Sequence, residues 1–146
     1  MQTVEQALAD MTLYSDDTAY VFVKLPARAI TLAAGLIAEV GSPFSALIID
    51  KDEVSIMIVD EAIEEFAERL FDFSVSAEKY RLITFDIALD LSMVGFMAKI
   101  STALAKANVS IMTYAAYTRD HILVTEKQFD IAMKTLQDLQ KELKSK

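Results

Sequence analysis

The residues of this sequence that could do chemistry cluster where a predicted strand gives way to a predicted helix. The run 90–96, DLSMVGF, places a carboxylate, a hydroxyl and a glycine at the start of an apolar stripe typical of a helix. A helix N-terminus has unpaired N–H groups and the positive end of the helix dipole, so it attracts anions. Gly95, which has no side chain, would let a ligand approach that backbone closely. The run therefore predicts a site for an anionic group.

Each of these residues also has a purely structural explanation. Asp90 or Ser92 could simply cap the helix by accepting hydrogen bonds from its first N–H groups. Gly95 could serve close packing of the helix on a sheet. Asp120, a further acidic residue, falls in a predicted turn, where aspartate is common without any ligand.

No catalytic constellation is recognisable. The sequence has no Ser/His/Asp order with credible geometry, no phosphate-binding loop and no G-x-S-x-G motif, and it contains only 3 glycines. With 1 histidine and no cysteine, a transition-metal site is not expected. His121 is interpreted as a half-buried strand residue and not as a pH switch. We expect a protein that is not an enzyme and that uses no metal and no cofactor.

Composition argues against several classes of protein. Of the 146 residues, 53% are hydrophobic, which is enough to form a core and argues against disorder. The net charge of −8 argues against non-specific binding to nucleic acid, which needs a basic surface. The longest apolar run, 29–38, is too short to cross a membrane, and no segment has the pattern of a secretory signal. We expect a cytoplasmic protein without nucleic-acid or membrane partners.

The second half of the chain reads as a strand, a helix, a hairpin and another helix. Apolar residues alternate along 81–89, which indicates a strand, and they recur at helical spacing along 93–107. Asn108 suits the left-handed residue that often ends a helix. The remaining predicted elements are two strands within 109–124, a turn at 118–120 and a helix over 128–143.

The first half repeats this order. Its predicted elements are a strand at 19–25, a helix from 30 to near 41, two strands at 43–49 and 54–59 joined by a hairpin, and a helix that follows residue 60. Asp60 is a candidate cap for that last helix, whose outer face is acidic and is interpreted as solvated. Residues 1–13 fit either a helix or a short strand. Residues 73–79 are the predicted linker between the halves.

A strand–helix–strand–strand–helix unit that occurs twice predicts a duplicated small domain. Each unit would be a ferredoxin-like α+β sandwich with both helices on one face of an antiparallel sheet. Packing the two units side by side into one continuous sheet would cover exposed strand edges. The predicted domains are 1–73 and 74–146, and the N-terminal strand is a candidate to complete the second sheet.

The second half resembles an ACT domain. The residues that carry the resemblance are the run 90–95 (DLSMVG), Ile100, Leu104-Ala105, the run 108–111 (NVSI) and the run 117–124 (YTRDHILV). In the first half, 20–25, 43–45 and 53–59 are similar to a degenerate first copy. Most similar is the subgroup with two copies in tandem, which includes the regulatory ends of aspartate kinases and small cytosolic amino-acid sensors. The resemblance implies a βαββαβ fold for each copy, homodimers or larger homo-oligomers, and a free amino acid bound where two ACT copies meet.

A free amino acid needs partners for its carboxylate and its ammonium. The helix N-terminus suits the carboxylate, and Asp90 and Asp120 are the candidates for the ammonium. The resemblance implies that Ser110 and Ile111, which open the next strand, supply further contacts. The predicted ligand-binding residues are Asp90, Ser92, Met93, Val94, Gly95, Phe96, Ser110, Ile111 and Asp120.

Two features depart from the pattern of the subgroup. Ala115-Ala116 stands where the subgroup usually has a Ser-Thr pair, so two hydroxyls that could bind the ligand are missing. Arg119 stands where a threonine is usual, and its charge could engage an acidic side chain or lie in solvent. The pocket could therefore be altered, specialised or lost.

Three functional hypotheses follow from the sequence. The first is a regulatory protein that senses a free amino acid through a change in its assembly. The second is a dimerisation or adaptor protein that has the fold without a working pocket. The third is a detached regulatory subunit of an amino-acid biosynthetic enzyme, with the acidic helix of 60–72 as its docking face.

Overall fold

A computed structural model describes residues 1–41 and 43–146 of the chain. In chain order, its elements are α1 Val4–Asp10, β1 Thr12–Tyr14, β2 Tyr20–Pro26, α2 Ile30–Val40, β3 Ala46–Ile49, β4 Glu53–Val59, α3 Glu61–Phe66, β5 Ser74–Val75, β6 Tyr80–Asp86, α4 Phe96–Lys106, β7 Met112–Ala115, β8 Asp120–Thr125 and α5 Phe129–Lys144. The chain forms two compact units: unit I is residues 18–80, and unit II is residues 1–17 with 81–146. Both combine antiparallel strands with packed helices, so the predicted ferredoxin-like α+β class is confirmed.

The sheet of unit I is organised around β2 and β4. These strands pair antiparallel along their full length, and β4 also pairs with β3. The β3–β4 hairpin is closed by Asp50, whose Oδ1 accepts hydrogen bonds from the N–H groups of Asp52 at 2.8 Å and Glu53 at 2.9 Å. The predicted strands of this half and their hairpin are therefore confirmed.

Two details predicted for unit I are wrong. Asp60 precedes α3, but its side chain makes no capping hydrogen bond, because Oδ2 lies 2.8 Å from Nζ of Lys79. The predicted linker contains β5, which pairs with β2. Ser76, just after β5, donates its N–H to the carbonyl of Phe22 at 2.8 Å and accepts the Phe22 N–H on Oγ at 3.0 Å. The linker is therefore partly an edge of the sheet.

The acidic surface of unit I is partly neutralised by basic side chains of the same unit. Arg69 lies 2.9 Å from Glu39 in a forked arrangement with two hydrogen bonds. Arg28 lies 3.1 Å from Asp72. All four side chains are substantially exposed, so each pair contributes little to stability. The α3 region is thus less strongly negative than its sequence suggests.

The sheet of unit II has the strand order β1-β6-β8-β7. β1 pairs antiparallel with β6, with Thr12 opposite Asp86 and Tyr14 opposite Thr84. The N-terminal strand therefore lies in the sheet of the second copy. The predicted domains, 1–73 and 74–146, are each continuous in sequence. In the structure, unit II combines residues 1–17 with residues 81–146, and unit I lies between them in sequence.

The core of unit II is formed where α1, α4 and α5 meet the sheet. Its fully buried side chains include Leu8, Ile83, Phe85, Ile100, Leu104, Ile122 and Leu136. Gln140 of α5 secures α1, because its Nε2 donates to the carbonyls of Leu8 at 3.1 Å and Met11 at 2.7 Å. The N-terminal residues thus form first a helix and then a strand, and both belong to unit II.

Candidate functional site

The loop that joins β6 to α4, residues 87–95, is tied to the β7–β8 hairpin. The N–H of Leu89 donates to the carbonyl of Thr118 at 2.6 Å. Further along the loop, Asp90 Oδ1 accepts hydrogen bonds from both the N–H (2.9 Å) and the hydroxyl (2.7 Å) of Ser92. The Ser92 hydroxyl, and then its N–H, lower the pKa of the Asp90 carboxyl. These bonds form a local turn of the kind that aspartate favours.

Asp90 and Ser92 do not cap the helix, so that interpretation of the sequence is wrong. α4 begins at Phe96, and its N-cap residue is Gly95, which makes no side-chain hydrogen bond. The apolar spacing from Met93 predicts an earlier start. The helix starts later because Gly95 has φ 99° and ψ −1°, a left-handed conformation that cannot continue a right-handed helix.

Gly95 is needed for its backbone conformation and not for packing. A Cβ at this position would meet no atom within 4 Å, so the close-packing interpretation is also wrong. The first helical hydrogen bond joins the N–H of Lys99 to the carbonyl of Gly95 at 3.2 Å. Within the described part of the chain, no acceptor meets the N–H groups of residues 95–98. These donors lie at the positive end of the helix dipole and are available to an anion.

The β7–β8 turn lies beside this helix start. The N–H of Ala116 donates to the carbonyl of Arg119 at 3.0 Å, and the side chain of Tyr117 is 80% exposed. Nε of Arg119 is buried and lies 3.2 Å from Oδ1 of Asp86, close enough for an ion pair but without the alignment of a hydrogen bond. The Arg119 charge is thus engaged by an acidic side chain of unit II.

Asp120 and His121 open β8 and have different surroundings. Burial raises the pKa of the Asp120 carboxyl, and the His121 charge lowers it by less. Among the described residues, no hydrogen-bond or ion-pair partner meets the Asp120 carboxylate. His121 Nδ1 lies 2.8 Å from the hydroxyl of Thr84, and burial lowers the pKa of the imidazole. His121 is therefore a half-buried strand residue, as interpreted from the sequence, whereas Asp120 carries an unpartnered carboxylate.

The loop 87–95, the start of α4 and the β7–β8 turn enclose a cavity of about 300 Å³. Its lining includes, from the predicted ligand-binding set, Asp90, Met93, Gly95, Phe96 and Asp120. The two features that depart from the subgroup pattern, Ala115-Ala116 and Arg119, line the same cavity. The structure thus brings the predicted helix start, both predicted carboxylates and both unusual features together.

The other predicted residues lie outside this lining. Ser92 bonds Asp90 within the loop, and Val94 is 87% exposed. The N–H of Ser110 donates to Oε1 of Gln128 at 3.2 Å, and Ile111 packs against the core of unit II. The strand after α4 starts at Met112, so Ser110 and Ile111 belong to the connection that precedes it.

Several lining residues were not predicted: Leu89, Leu91, Met97, Ala98, Tyr117 and Thr118. Leu91 and Tyr117 stand out because they are apolar residues in turns, with 70% and 80% of their surface exposed. Leu91, an apolar residue between Asp90 and Ser92, is the one feature of the sequence that could have indicated that this turn lines a cavity. The hydrogen bond between Leu89 and Thr118 joins segments that are far apart in sequence, so no pattern of neighbouring residues predicts it.

The described residues include no group of three histidine, aspartate or glutamate side chains that could hold a metal ion. In the same part of the chain, no helix has the length and apolar character that crossing a bilayer requires.

Residues 75–138 match the family model of the ACT domain. The resemblance to an ACT domain inferred from the sequence is thus confirmed over these residues. No curated protein matches the chain by sequence.

Solved structures share the fold over nearly the whole chain. A protein of unknown function from Vibrio cholerae, described as a possible transport protein, is 22% identical with a TM-score of 0.74, over 94% of this chain and 96% of that chain. Aspartokinase alpha and beta subunits are similar with a TM-score of 0.69 and 16% identity, over 88% of this chain and 97% of that chain. The regulatory subunit of aspartate kinase from Thermus flavus has a TM-score of 0.64 and 12% identity, over 88% and 97% of the two chains. At these identities the likeness establishes the fold alone.

Proposed function

We propose that this is a non-catalytic regulatory protein that binds a free amino acid in the cavity of unit II. One observation carries the proposal: complementary groups without partners among the described residues line a single small cavity. These groups are the N–H donors at the start of α4 and the carboxylate of Asp120. A free amino acid carries the carboxylate and the ammonium that such groups bind.

The carboxylate of the ligand binds the start of α4. The N–H groups of residues 95–98 are donors at the positive end of the helix dipole, where an anion is stabilised. Gly95 leaves open space where any other residue would have a Cβ. Ligand oxygens can therefore approach the backbone directly.

The ammonium of the ligand binds the acidic side of the cavity. Burial raises the pKa of Asp120 by more than the His121 charge lowers it, so the ionised form is disfavoured in the absence of a ligand. An ammonium group there favours the ionised form and forms a charge-assisted hydrogen bond. Asp90, whose pKa is already lowered by Ser92, is the second acceptor.

A second copy of the protein closes the cavity in this proposal. Leu91, Val94 and Tyr117 lie in its loop and turn and are 70%, 87% and 80% exposed. Exposed apolar side chains grouped at one place mark an interaction surface. The ligand would then lie where two ACT copies of a homodimer or larger homo-oligomer meet. If the ligand binds the assembled state more tightly than the separate copies, its binding favours assembly, and this change in assembly would transmit the signal.

The regulated partner is an enzyme of amino-acid biosynthesis in this proposal, and the protein acts in the cytoplasm with it. The support is the likeness to structures described as regulatory subunits of aspartate kinase.

The test is a thermal-shift screen of the full chain against the twenty amino acids, with light scattering on every hit. Ligand at a hundred times its Kd stabilises the folded state by about 2.7 kcal/mol, which raises the Tm by roughly several degrees for a chain of this size. We expect a selective shift accompanied by a change in assembly. No shift at millimolar concentrations would refute sensing and favour the ligand-free adaptor.

Two variants of Gly95 test the assigned site. Gly95→Asp places a negative charge where the carboxylate of the ligand binds, so binding should be lost. Gly95→Ala imposes the same backbone strain and fills only the space of one methyl group without adding a charge, so it should weaken binding less than Gly95→Asp does. If both variants bind the hit equally well, the ligand does not bind at the start of α4.

A further inference from the structure

The charged groups of the cavity in unit II are matched to the common part of an amino acid. Arg119 is engaged by Asp86, with Nε and Oδ1 3.2 Å apart. Asp90 Oδ1 accepts two hydrogen bonds from Ser92, and in the proposed function the same carboxylate shares the ligand ammonium with Asp120. Both carboxylates of the described lining are then used by the ammonium. No charged group of the cavity remains for a charged ligand side chain.

The rest of the lining is mostly apolar. Ala115 and Ala116 offer only methyl groups at the end of β7, and Met93 and Met97 add thioether surface. A charged side chain against these walls would lose hydration without gaining a partner, which disfavours its binding. An aliphatic, thioether or aromatic side chain would bury apolar surface instead. The methionines can adapt to its shape, because their side chains are flexible and polarisable.

The size of the cavity limits the ligand further. Its volume of about 300 Å³ lies at the lower end of the range for ligand pockets, roughly 300–1,000 Å³. A single amino acid suits this volume better than a peptide or a nucleotide does.

We infer that the cavity selects amino acids with uncharged apolar side chains, such as leucine, methionine or phenylalanine, over lysine, arginine, aspartate and glutamate. The inference rests on the proposed function, which supplies the binding of the ammonium and carboxylate groups. It adds the class of side chain that the walls accept.

Isothermal titration calorimetry of the full chain with these seven amino acids at neutral pH tests the inference. At least one apolar amino acid should bind roughly tenfold or more tightly than each charged one, as expected when a charge would be buried unpaired. If a charged amino acid bound more tightly than every apolar one, the inference would be overturned and the proposed function would stand. Absence of binding by all seven would overturn the inference, and the absence of any hit among the twenty amino acids in the thermal-shift screen would overturn the proposed function as well.

Two variants in which aspartate replaces an alanine test whether the end of β7 selects the side chain of the ligand. Ala116→Asp adds a carboxylate to the cavity, so it should weaken binding of the apolar ligand roughly tenfold or more and strengthen binding of lysine. Ala34→Asp makes the same change on the exposed face of α2 in unit I and should leave binding unchanged. Both alanines are exposed, so both variants are expected to fold, which circular dichroism checks. Unchanged selectivity in Ala116→Asp would overturn the inference.

Discussion

Replacing Gly95 with alanine would measure the cost of the left-handed residue that starts α4. At φ 99° and ψ −1°, Gly95 has a backbone conformation that residues with a Cβ rarely adopt. An added Cβ would meet no atom within 4 Å. The whole effect of the substitution is therefore conformational, and none of it is a steric clash with neighbouring residues.

The structure also gives the sign and the size of the effect. A left-handed residue with a Cβ costs about 1–2 kcal/mol, so Gly95→Ala should reduce the free energy of unfolding by about that amount. Gly35, in the interior of α2, is a matched control because a Cβ there also meets nothing within 4 Å and its φ is not positive. Alanine is favoured over glycine inside a helix by about 0.5–1 kcal/mol, so Gly35→Ala should be stabilising.

Urea unfolding followed by circular dichroism separates these outcomes. With a slope m of about 2 kcal/mol per molar urea, Gly95→Ala should lower the midpoint by roughly 0.5–1 M, and Gly35→Ala should raise it. If Gly95→Ala raised the midpoint as Gly35→Ala does, the left-handed start of α4 would be refuted.

Three further predictions concern unit II. Gln140→Leu removes the donor to the carbonyls of Leu8 and Met11, so it should cost about 1–3 kcal/mol in urea unfolding; a neutral effect would mean that water replaces the amide. Burial lowers the pKa of His121, so the unfolded state takes up the proton first and stability should fall as the pH drops below about 6.5; His121→Gln should flatten this part of the pH profile of Tm. The raised pKa of Asp120 has the opposite sign, so Asp120→Asn should increase Tm at neutral pH and an unchanged Tm would contradict the burial of the carboxylate.

The elements with a long and regular pattern could be predicted from the sequence. α2 and α5 begin and end within a residue or so of their predicted limits, because apolar residues recur over several turns of each. Asn108 has φ 60°, as its place after a helical stripe predicted. Such features depend on neighbours within one helix or strand, and the sequence contains those neighbours in order.

The start of α4 could not be predicted in this way. The apolar spacing continues through Met93, and nothing in the spacing shows that Gly95 turns left-handed. An aspartate is suited both to capping a helix and to accepting a hydrogen bond from Ser92 in a turn, so the residue type at position 90 does not distinguish the two conformations. The two conformations compete with similar local energies, and the contact between Leu89 and Thr118, far apart in sequence, favours the turn.

The candidate site has one part that depends on local sequence and another part that depends on contacts between distant segments. Groups that could bind the ammonium and carboxylate of a ligand, Asp120 and the start of α4, could be recognised from their chemistry alone. The walls could not, because Leu91, Met97 and Tyr117 become a lining only once the loop 87–95 is tied to the β7–β8 turn. If the walls select the ligand, exchange of the turn residues should change which amino acid binds while the start of α4 continues to bind its carboxylate. In the proposed function, the side chain of the ligand would then be selected by tertiary structure, whereas its ammonium and carboxylate would be recognised by local chemistry.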